Sequence, residues 1–361
     1  MPRPRPTASA RPTVGTARAL AVCLAAGLVC VADPAAAHAV TNVRCDPAAL
    51  TAAITELNAD GGGTISLSRN CVFVFRAPVT GQDATPPITV PITFLGNGAV
   101  LRRDAAPTSH FRLLDVAVGG TATLSRLTIE NGNVTGSGGG VLVQPGGTLR
   151  GTSVTVRNNT ADGDGGGIDD QGTVQLTGSR LRGNTAKTFG GGLAVEPGGT
   201  ADLTGTTVDG NTAGSFAGGG VYNDGGSVAI SRSSVTRNDV HAGDGGGLWN
   251  DAQMTVDDST IDDNFATDHG GGVTNAGGGK ATLNHSTVRG NRAGLQAGGV
   301  YNVNPNSVLV LNRSRVTGNK STNAPGGVFN GSGSTVVNKH SLIRDNTPTN
   351  CSPSSVPGCV G

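Results

Sequence analysis

Acidic side chains stand beside several glycine clusters of this 361-residue chain. Asp162, Asp164, Asp169 and Asp170 flank one cluster, while Asp244 and His269 occupy the same place before two later clusters. Glycosidases use two carboxyl groups about 5 to 10 Å apart, a separation that neighbouring repeats would reach easily. The residues that could supply an acid and a base are Asp164, Asp169, Asp170, Asp244 and His269.

Two of these aspartates are also the candidate metal ligands. The D-x-D-G run from Asp162 to Gly165 begins like a calcium loop, but the remaining ligand positions of such a loop are missing. We therefore expect no cofactor and a solvated acidic turn. The alternative is Ca2+ bound by Asp162 and Asp164 together with Asp169 or Asp170.

Aromatic residues are scarce, and the rarest ones share one sequence position. Both tyrosines and the single tryptophan directly follow a glycine cluster and its aliphatic residue. Alternation along a strand would point the aliphatic residue inward and the ring outward to solvent. Such a strip could stack on the sugar rings of a glycan, or its rings could stack on one another and strengthen neighbouring coils. The predicted ligand-binding residues are Tyr222, Trp249, Tyr301 and Phe329.

These positions recur because the chain is built from a repeat. A glycine cluster followed by an aliphatic residue returns every 25 to 28 residues from Gly138 onward, and an aliphatic-x-x-Asn motif keeps the same spacing. Two motifs with one period indicate one structural unit per repeat. The aliphatic residues are Val141, Ile168, Leu193, Val221, Leu248, Val273, Val300 and Val328, and the asparagines are Asn159, Asn184, Asn211, Asn238, Asn264, Asn291, Asn319 and Asn346.

The unit must consist of strands. Apolar residues alternate between the two motifs, as in Val174 and Leu176, and no segment of the repeat has helical spacing. A unit of roughly 27 residues can hold three short strands and three turns, stacked about 4.8 Å apart along an axis. The sequence therefore predicts a single all-β domain, a parallel β-solenoid of about eleven coils.

Three polar columns run through the repeats, and we interpret each as structural. A hydroxyl two residues before an aliphatic residue predicts a buried ladder of mutually bonded hydroxyls. The asparagines of the aliphatic-x-x-Asn motif predict a second ladder, of side-chain amides, with left-handed backbone at a bend. The asparagines that directly follow the outward aromatic position predict a third ladder, also of amides. The members of the first are Ser179, Thr206, Ser233, Ser259, Ser286, Ser314 and Ser341, and those of the third are Asn223, Asn250, Asn275, Asn302 and Asn330.

The pairing of GGGV or GGGL with aliphatic-x-x-Asn resembles the GGA-I and F-x-x-N repeats of chlamydial polymorphic outer membrane proteins. The chain as a whole is similar to secreted bacterial right-handed β-helix proteins of the pectate-lyase-like superfold. The match covers Gly138 to Asn346, with an aliphatic residue in place of the phenylalanine and no C-terminal autotransporter barrel. The resemblance implies a right-handed helix, and in its carbohydrate-active members the substrate lies along an outer sheet face. It does not supply a function.

Both ends carry signals of their own. Four arginines, an apolar run and Ala37-His38-Ala39 indicate a signal peptide over residues 1–39. An N-terminal capping helix, with Asp46 as N-cap, and the first irregular coils are predicted over 40–137, and regular repeats over 138–346. A C-terminal disulfide cap is predicted over 347–361. Sequence proximity suggests that Cys45 pairs with Cys71 and Cys351 with Cys359.

Net charge and the absence of known catalytic motifs reduce the classes of function that the sequence supports. Without the signal, 22 basic residues face 24 acidic ones, so we expect no nucleic acid partner, no membrane span and a secreted, extracellular monomer. The N-T-D, G-H-G and R-I-K motifs of polygalacturonases are missing, as is the calcium and arginine set of pectate lyases. We therefore expect a non-catalytic module that binds a polysaccharide or a cell-surface partner. The alternatives are a lyase or hydrolase of an acidic polysaccharide and a structural spacer.

Overall fold

The computed structural model describes residues 40–106, 109–352 and 356–359, and the predicted signal peptide lies outside this range. The described chain forms one helix, Pro47–Asp60, four long parallel sheets and a fifth sheet of two strands. Every coil passes through the sheets in the same order, so the strands of each sheet stack along one axis. No helix within this range is long and apolar enough to span a membrane.

The bounds of the strands follow the repeat. Sheet 1 has twelve strands: Val40–Val43, Gly63–Leu67, Pro91–Leu95, Thr121–Ser125, Thr148–Thr152, Thr173–Thr177, Thr200–Thr204, Ser227–Ser231, Gln253–Asp257, Lys280–Asn284, Val308–Asn312 and Thr335–Lys339. Sheet 2 has eleven: Val72–Phe75, Val100–Arg103, Thr128–Glu130, Thr155–Arg157, Arg180–Arg182, Thr207–Asp209, Ser234–Thr236, Thr260–Asp262, Thr287–Arg289, Arg315–Thr317 and Leu342–Arg344.

The other sheets are shorter. Sheet 3 has eight two-residue strands: Asn133–Val134, Thr160–Ala161, Thr185–Ala186, Thr212–Ala213, Asp239–Val240, Phe265–Ala266, Arg292–Ala293 and Lys320–Ser321. Sheet 4 has ten: Leu114–Val116, Val141–Val143, Ile168–Asp170, Leu193–Val195, Val221–Asn223, Leu248–Asn250, Val273–Asn275, Val300–Asn302, Val328–Asn330 and Cys351–Ser352. A fifth sheet pairs only Phe216–Ala217 with Gly243–Asp244.

The predicted parallel β-solenoid is confirmed, with about twelve turns rather than about eleven. The additional rung is Val40–Val43, which precedes the helix and pairs with Gly63–Leu67. Register runs residue by residue, so that Val141 opposes Ile168 and Ile168 opposes Leu193. Inward aliphatic residues of successive coils therefore stack into one continuous buried core.

The hydroxyl column is buried, but its members do not bond to one another as predicted. The Ser259 hydroxyl accepts from the Ser233 backbone N–H at 3.0 Å and donates to the Asp257 carbonyl at 2.6 Å. Ser286 repeats the pattern, accepting from the Ser259 N–H and donating to the Val256 carbonyl. The hydroxyls bond instead to backbone N–H and C=O groups at and beside the turn between sheets 1 and 2.

The two amide ladders form as predicted. Each asparagine of the first ladder donates from Nδ2 to Oδ1 of the next, as Asn238 does to Asn264 at 2.9 Å. The Asn223 amide donates in the same way to Asn250 at 2.7 Å. The expected left-handed backbone lies one residue earlier, at positions such as Arg237 with φ 52° and Asp263 with φ 53°. The bend therefore precedes the ladder asparagine.

The caps agree with the sequence. Asp46 accepts from the Ala48 N–H, Gly61 ends the helix at φ 85°, and one stripe of four residues is buried against the first coils, Leu50, Ala53, Ile54 and Leu57. Both disulfides are present, Cys45 with Cys71 and Cys351 with Cys359.

Candidate functional site

The outer face of sheet 4 carries most of the residues singled out from the sequence. A glycine cluster precedes each strand because the turn needs conformations that other residues disfavour. Gly245 has φ 69°, and a Cβ on Gly246 would collide with the Phe265 carbonyl. The next strand alternates, so Leu248 enters the core, Trp249 faces outward and Asn250 joins the second amide ladder.

Rings on this face stack along the helix axis in two groups. In the first, the centroid of Tyr222 lies 4.5 Å from Phe189 and 4.6 Å from Trp249, and Phe216 lies 5.2 Å from Phe189. In the second, Tyr301 lies 4.5 Å from His269 and 4.9 Å from Phe329. We call these seven rings the aromatic ladder. Self-stacking, one of the two interpretations of the strip, therefore occurs.

Stacking corrects the expectation that Tyr222 faces solvent. Its ring is covered by Phe189 on one side and Trp249 on the other, and only 7% of the residue is exposed. Burial, followed by the nearby charges of Asp224 and Asp251, raises the pKa of the Tyr222 hydroxyl. That hydroxyl forms no hydrogen bond within the described chain and is not enclosed, so it remains open to a ligand.

Trp249, Tyr301 and Phe329 are only partly buried. One face of Trp249 packs on Tyr222, and no ring among the described residues covers the other face. At the C-terminal end a cavity of about 580 Å³ opens beside Phe329 and Ser352. Ligand binding by these three side chains stays a prediction, and Trp249 and Phe329 are the two that lie at the ends of their stacks.

The sequence reading missed two rings of the ladder. Phe189 and Phe216 come from the turns before the glycines, and Phe216 is 60% exposed. Where the outward position holds a small residue, Ala194 or Thr274, the turn of the same coil supplies a ring, Phe189 or His269. A phenylalanine one or two residues before three glycines was the available signal.

Carboxyl groups gather beside the first stack. Asp169 faces outward on sheet 4, and Gln171 donates to its Oδ2 at 2.9 Å. Its carboxyl lies within hydrogen-bonding reach of Glu196 on the next coil, an interaction that needs one of the two to be protonated. Burial first, and then neighbouring carboxylates, raise the pKa of Asp169 to about 7 and that of Glu196 to about 8. Glu196 was not predicted from the sequence.

The next two coils repeat this arrangement. Asp224 and Asp251 occupy the position of Glu196, one coil and two coils further on. Their carboxyls interact with each other, and Asp251 accepts from the Gly225 N–H at 2.8 Å. Burial raises the pKa of Asp251. None of these four carboxyls forms an ion pair with a described Lys, Arg or His, as the ion pairs of this range lie elsewhere.

Three predicted aspartates serve other roles. Asp170 faces the core, is fully buried and accepts from the Gly172 N–H, so it cannot contact a ligand outside sheet 4. Burial raises the pKa of Asp170 to about 7. Asp164 accepts from the Thr188 hydroxyl and the Phe189 N–H, and Asp162 pairs with Lys187 at 2.8 Å. Within the described chain, no three His, Cys, Asp or Glu side chains are grouped to hold a metal ion.

Asp244 and His269 meet as their spacing predicted. His269 Nδ1 lies 3.0 Å from Asp244 Oδ1, and the His269 backbone N–H donates to the same oxygen at 2.9 Å. The imidazole also stacks on Tyr301. The carboxylate thus fixes the ring through Nδ1 and leaves Nε2 without a hydrogen-bond partner among the described residues.

Comparison with known proteins concerns the fold. Residues 168–347 match the family model described as a right handed beta helix region. The A-module of mannuronan C-5 epimerase AlgE6 from Azotobacter vinelandii aligns over 84% of this chain and 93% of that module, at 16% identity and a TM-score of 0.34. No curated protein sequence matches the chain. Sheet order and the matched region together identify the described chain as a right-handed parallel β-helix.

Proposed function

We propose that the outer face of sheet 4 binds an extracellular glycan lengthwise, along the helix axis. The observation that carries the proposal is Trp249, a partly exposed ring at the end of the first stack whose second face meets no other ring among the described residues. Sugar rings pack on aromatic rings, and their hydroxyls need polar partners nearby. Asp224 and Asp251, two residues after Tyr222 and Trp249, offer such partners, as does the Asp244–His269 pair in the turns of the same coil and the next.

Geometry argues against hydrolysis by the acidic pair on this face. Glycosidases hold their two carboxyls about 5 to 10 Å apart, leaving room for a sugar or a water. Asp169 and Glu196 are within hydrogen-bonding reach of each other, and Asp169 is only 1% exposed. This pair supports a binding surface better than a hydrolase.

The test is retention on a glycan array of neutral, acidic and amino-sugar oligosaccharides. Trp249→Ala should abolish retention because it removes the partly exposed ring at the end of the first stack. The matched control is Phe265→Ala, which removes an exposed ring from the neighbouring sheet 3 and should leave retention unchanged. Retention that survives Trp249→Ala in a folded protein, or no retention of the unmodified chain, would count against the proposal.

A second candidate function rests on a different observation, the Asp244–His269 contact. An imidazole held through Nδ1 by a carboxylate can act as a general base through Nε2. The candidate activity is cleavage of an acidic polysaccharide, read out as new reducing ends or unsaturated uronate. Activity that is lost in His269→Gln and Asp244→Asn but kept in Asp202→Asn would establish it. A signal abolished by Asp169→Ala with the fold intact would instead implicate the other carboxyl pair.

A further inference from the structure

We infer that the glycan bound on this face carries free amino groups, which the acidic residues around Tyr222 receive as ammonium ions. This inference rests on the proposed glycan-binding function and names its ligand class. The residues are Asp164, Asp169, Glu196, Asp224 and Asp251, here called the carboxyl cluster.

The first step concerns charge. The members of the carboxyl cluster come from four successive coils, with one or two members on each coil. None of the five forms an ion pair with a described Lys, Arg or His. The members repel one another strongly enough to contribute to the raised pKa values of Asp169 and Glu196. Such a surface disfavours an acidic polysaccharide and favours a ligand that brings positive charge.

The second step concerns an unpartnered polar atom. The Tyr222 side chain is more than nine-tenths buried, yet its hydroxyl interacts with Asp164, Glu196, Asp224 and Asp251 without a hydrogen bond to any described residue. The hydroxyl is not enclosed, so the buried ring holds an open polar atom among the carboxyls, where a ligand can reach it.

The third step separates an ammonium ion from a metal ion. No group of three acidic, His or Cys side chains in the described chain converges as metal ligands do. An ammonium group needs only two or three acceptors and tolerates their spacing along a row. The row of carboxyls lies beside Trp249, so one chain of amino sugars could contact both.

The experiment compares two oligosaccharides of equal length, oligoglucosamine and its fully N-acetylated form, by calorimetry at about pH 6, where the amino sugar carries ammonium groups. Asp169 and Glu196, with pKa values of about 7 and about 8, are largely protonated in the free protein at this pH, so binding of an ammonium ion should release protons from them. We expect the free amine form to bind about tenfold more tightly, with a preference that salt weakens. The double variant Glu196→Gln, Asp224→Asn should lose the preference. The control Asp202→Asn, an exposed carboxylate on sheet 1, should keep it.

Other outcomes decide against the inference in distinguishable ways. Equal affinity for the two oligosaccharides, or a preference for the N-acetylated one, would overturn the amino-sugar assignment and leave glycan binding standing. Binding of neither would overturn both proposals. Spermine bound as tightly as oligoglucosamine, or CaCl2 alone bound through the same carboxyls, would show a cation site without sugar selectivity. If the double variant does not fold, Asp251→Asn provides the same comparison.

Discussion

Tyr222 illustrates how a side chain can leave the core of a β-helix without reaching solvent. Alternation sends it outward, but rings from the two adjacent coils cover both of its faces. Offset stacking of this kind contributes about 0.5 to 1.5 kcal/mol per pair beyond burial. Asp169 follows the same logic, because Gln171 and Glu196 cover it. Outward orientation in a solenoid therefore does not by itself predict that a side chain is exposed to solvent.

The Asp169–Glu196 pair predicts a pH dependence of stability. Their folded pKa values of about 7 and about 8 exceed the ordinary values of 3.8 and 4.5, so the folded state binds more protons. Their contribution is complete below about pH 4 and is lost as pH rises through about 7 to 8. The melting temperature should fall over this range, and Asp169→Asn with Glu196→Gln should flatten the fall. Identical slopes in the two proteins would contradict the assignment, while Asp170 accounts for a residual slope.

At the scale of elements, the ladders of asparagines bind successive coils. Asn264 accepts from both the N–H and the Nδ2 of Asn238, and it donates to the Val235 carbonyl and to Asn291 Oδ1. One side chain thus satisfies four buried polar groups on the two adjacent coils. The bend needed to present it is supplied by the preceding residue, Asp263.

Asn264→Ala should therefore be costly. The substitution leaves several buried polar groups without a hydrogen-bond partner, and each such group costs about 1 to 3 kcal/mol. We therefore expect the free energy of unfolding to drop by about 3 kcal/mol or more. Asn284→Ala, on the outer face of sheet 1, removes two part-buried side-chain bonds, one to Asp257 and one from Asn312, and should cost well under half as much because water can replace both partners. Urea denaturation of both variants checks this, and equal losses would contradict the ladder account.

The sequence was sufficient to predict the coils, the N-terminal helix and both disulfides. Repeat spacing and side-chain alternation indicate the coils, the N-cap and apolar stripe indicate the helix, and sequence proximity indicates the disulfide pairs. The sequence was insufficient for the ring and carboxyl contacts. Phe189 meets Tyr222 from another coil and another turn, and Glu196 meets Asp169 across one coil. Both contacts depend on register and on turn conformation, which a repeat length varying from 25 to 28 residues leaves open. Asp170 was misjudged because an acidic residue rarely occupies a core position.

At the scale of the molecule, a solenoid depends on its ends. The helix covers the first coils, and the Cys45–Cys71 disulfide ties its start to sheet 2. Removal of both cysteines, as Cys45→Ser with Cys71→Ser, should lower the free energy of unfolding by about 3 kcal/mol. In hydrogen-exchange measurements, the backbone amides of Val40–Val43 and Pro47–Asp60 should lose their protection first. Uniform loss of protection along all coils would contradict a local capping role.

The central claim, that the outer face of sheet 4 is a glycan-binding surface, has a reporter already in place. Trp249 is the only tryptophan of the chain, so its fluorescence reports on this face alone. Titration with an oligosaccharide retained on the array should produce a saturable change in tryptophan emission, with the same midpoint as calorimetric binding. A glycan that binds by calorimetry and leaves the emission of Trp249 unchanged would contradict the account.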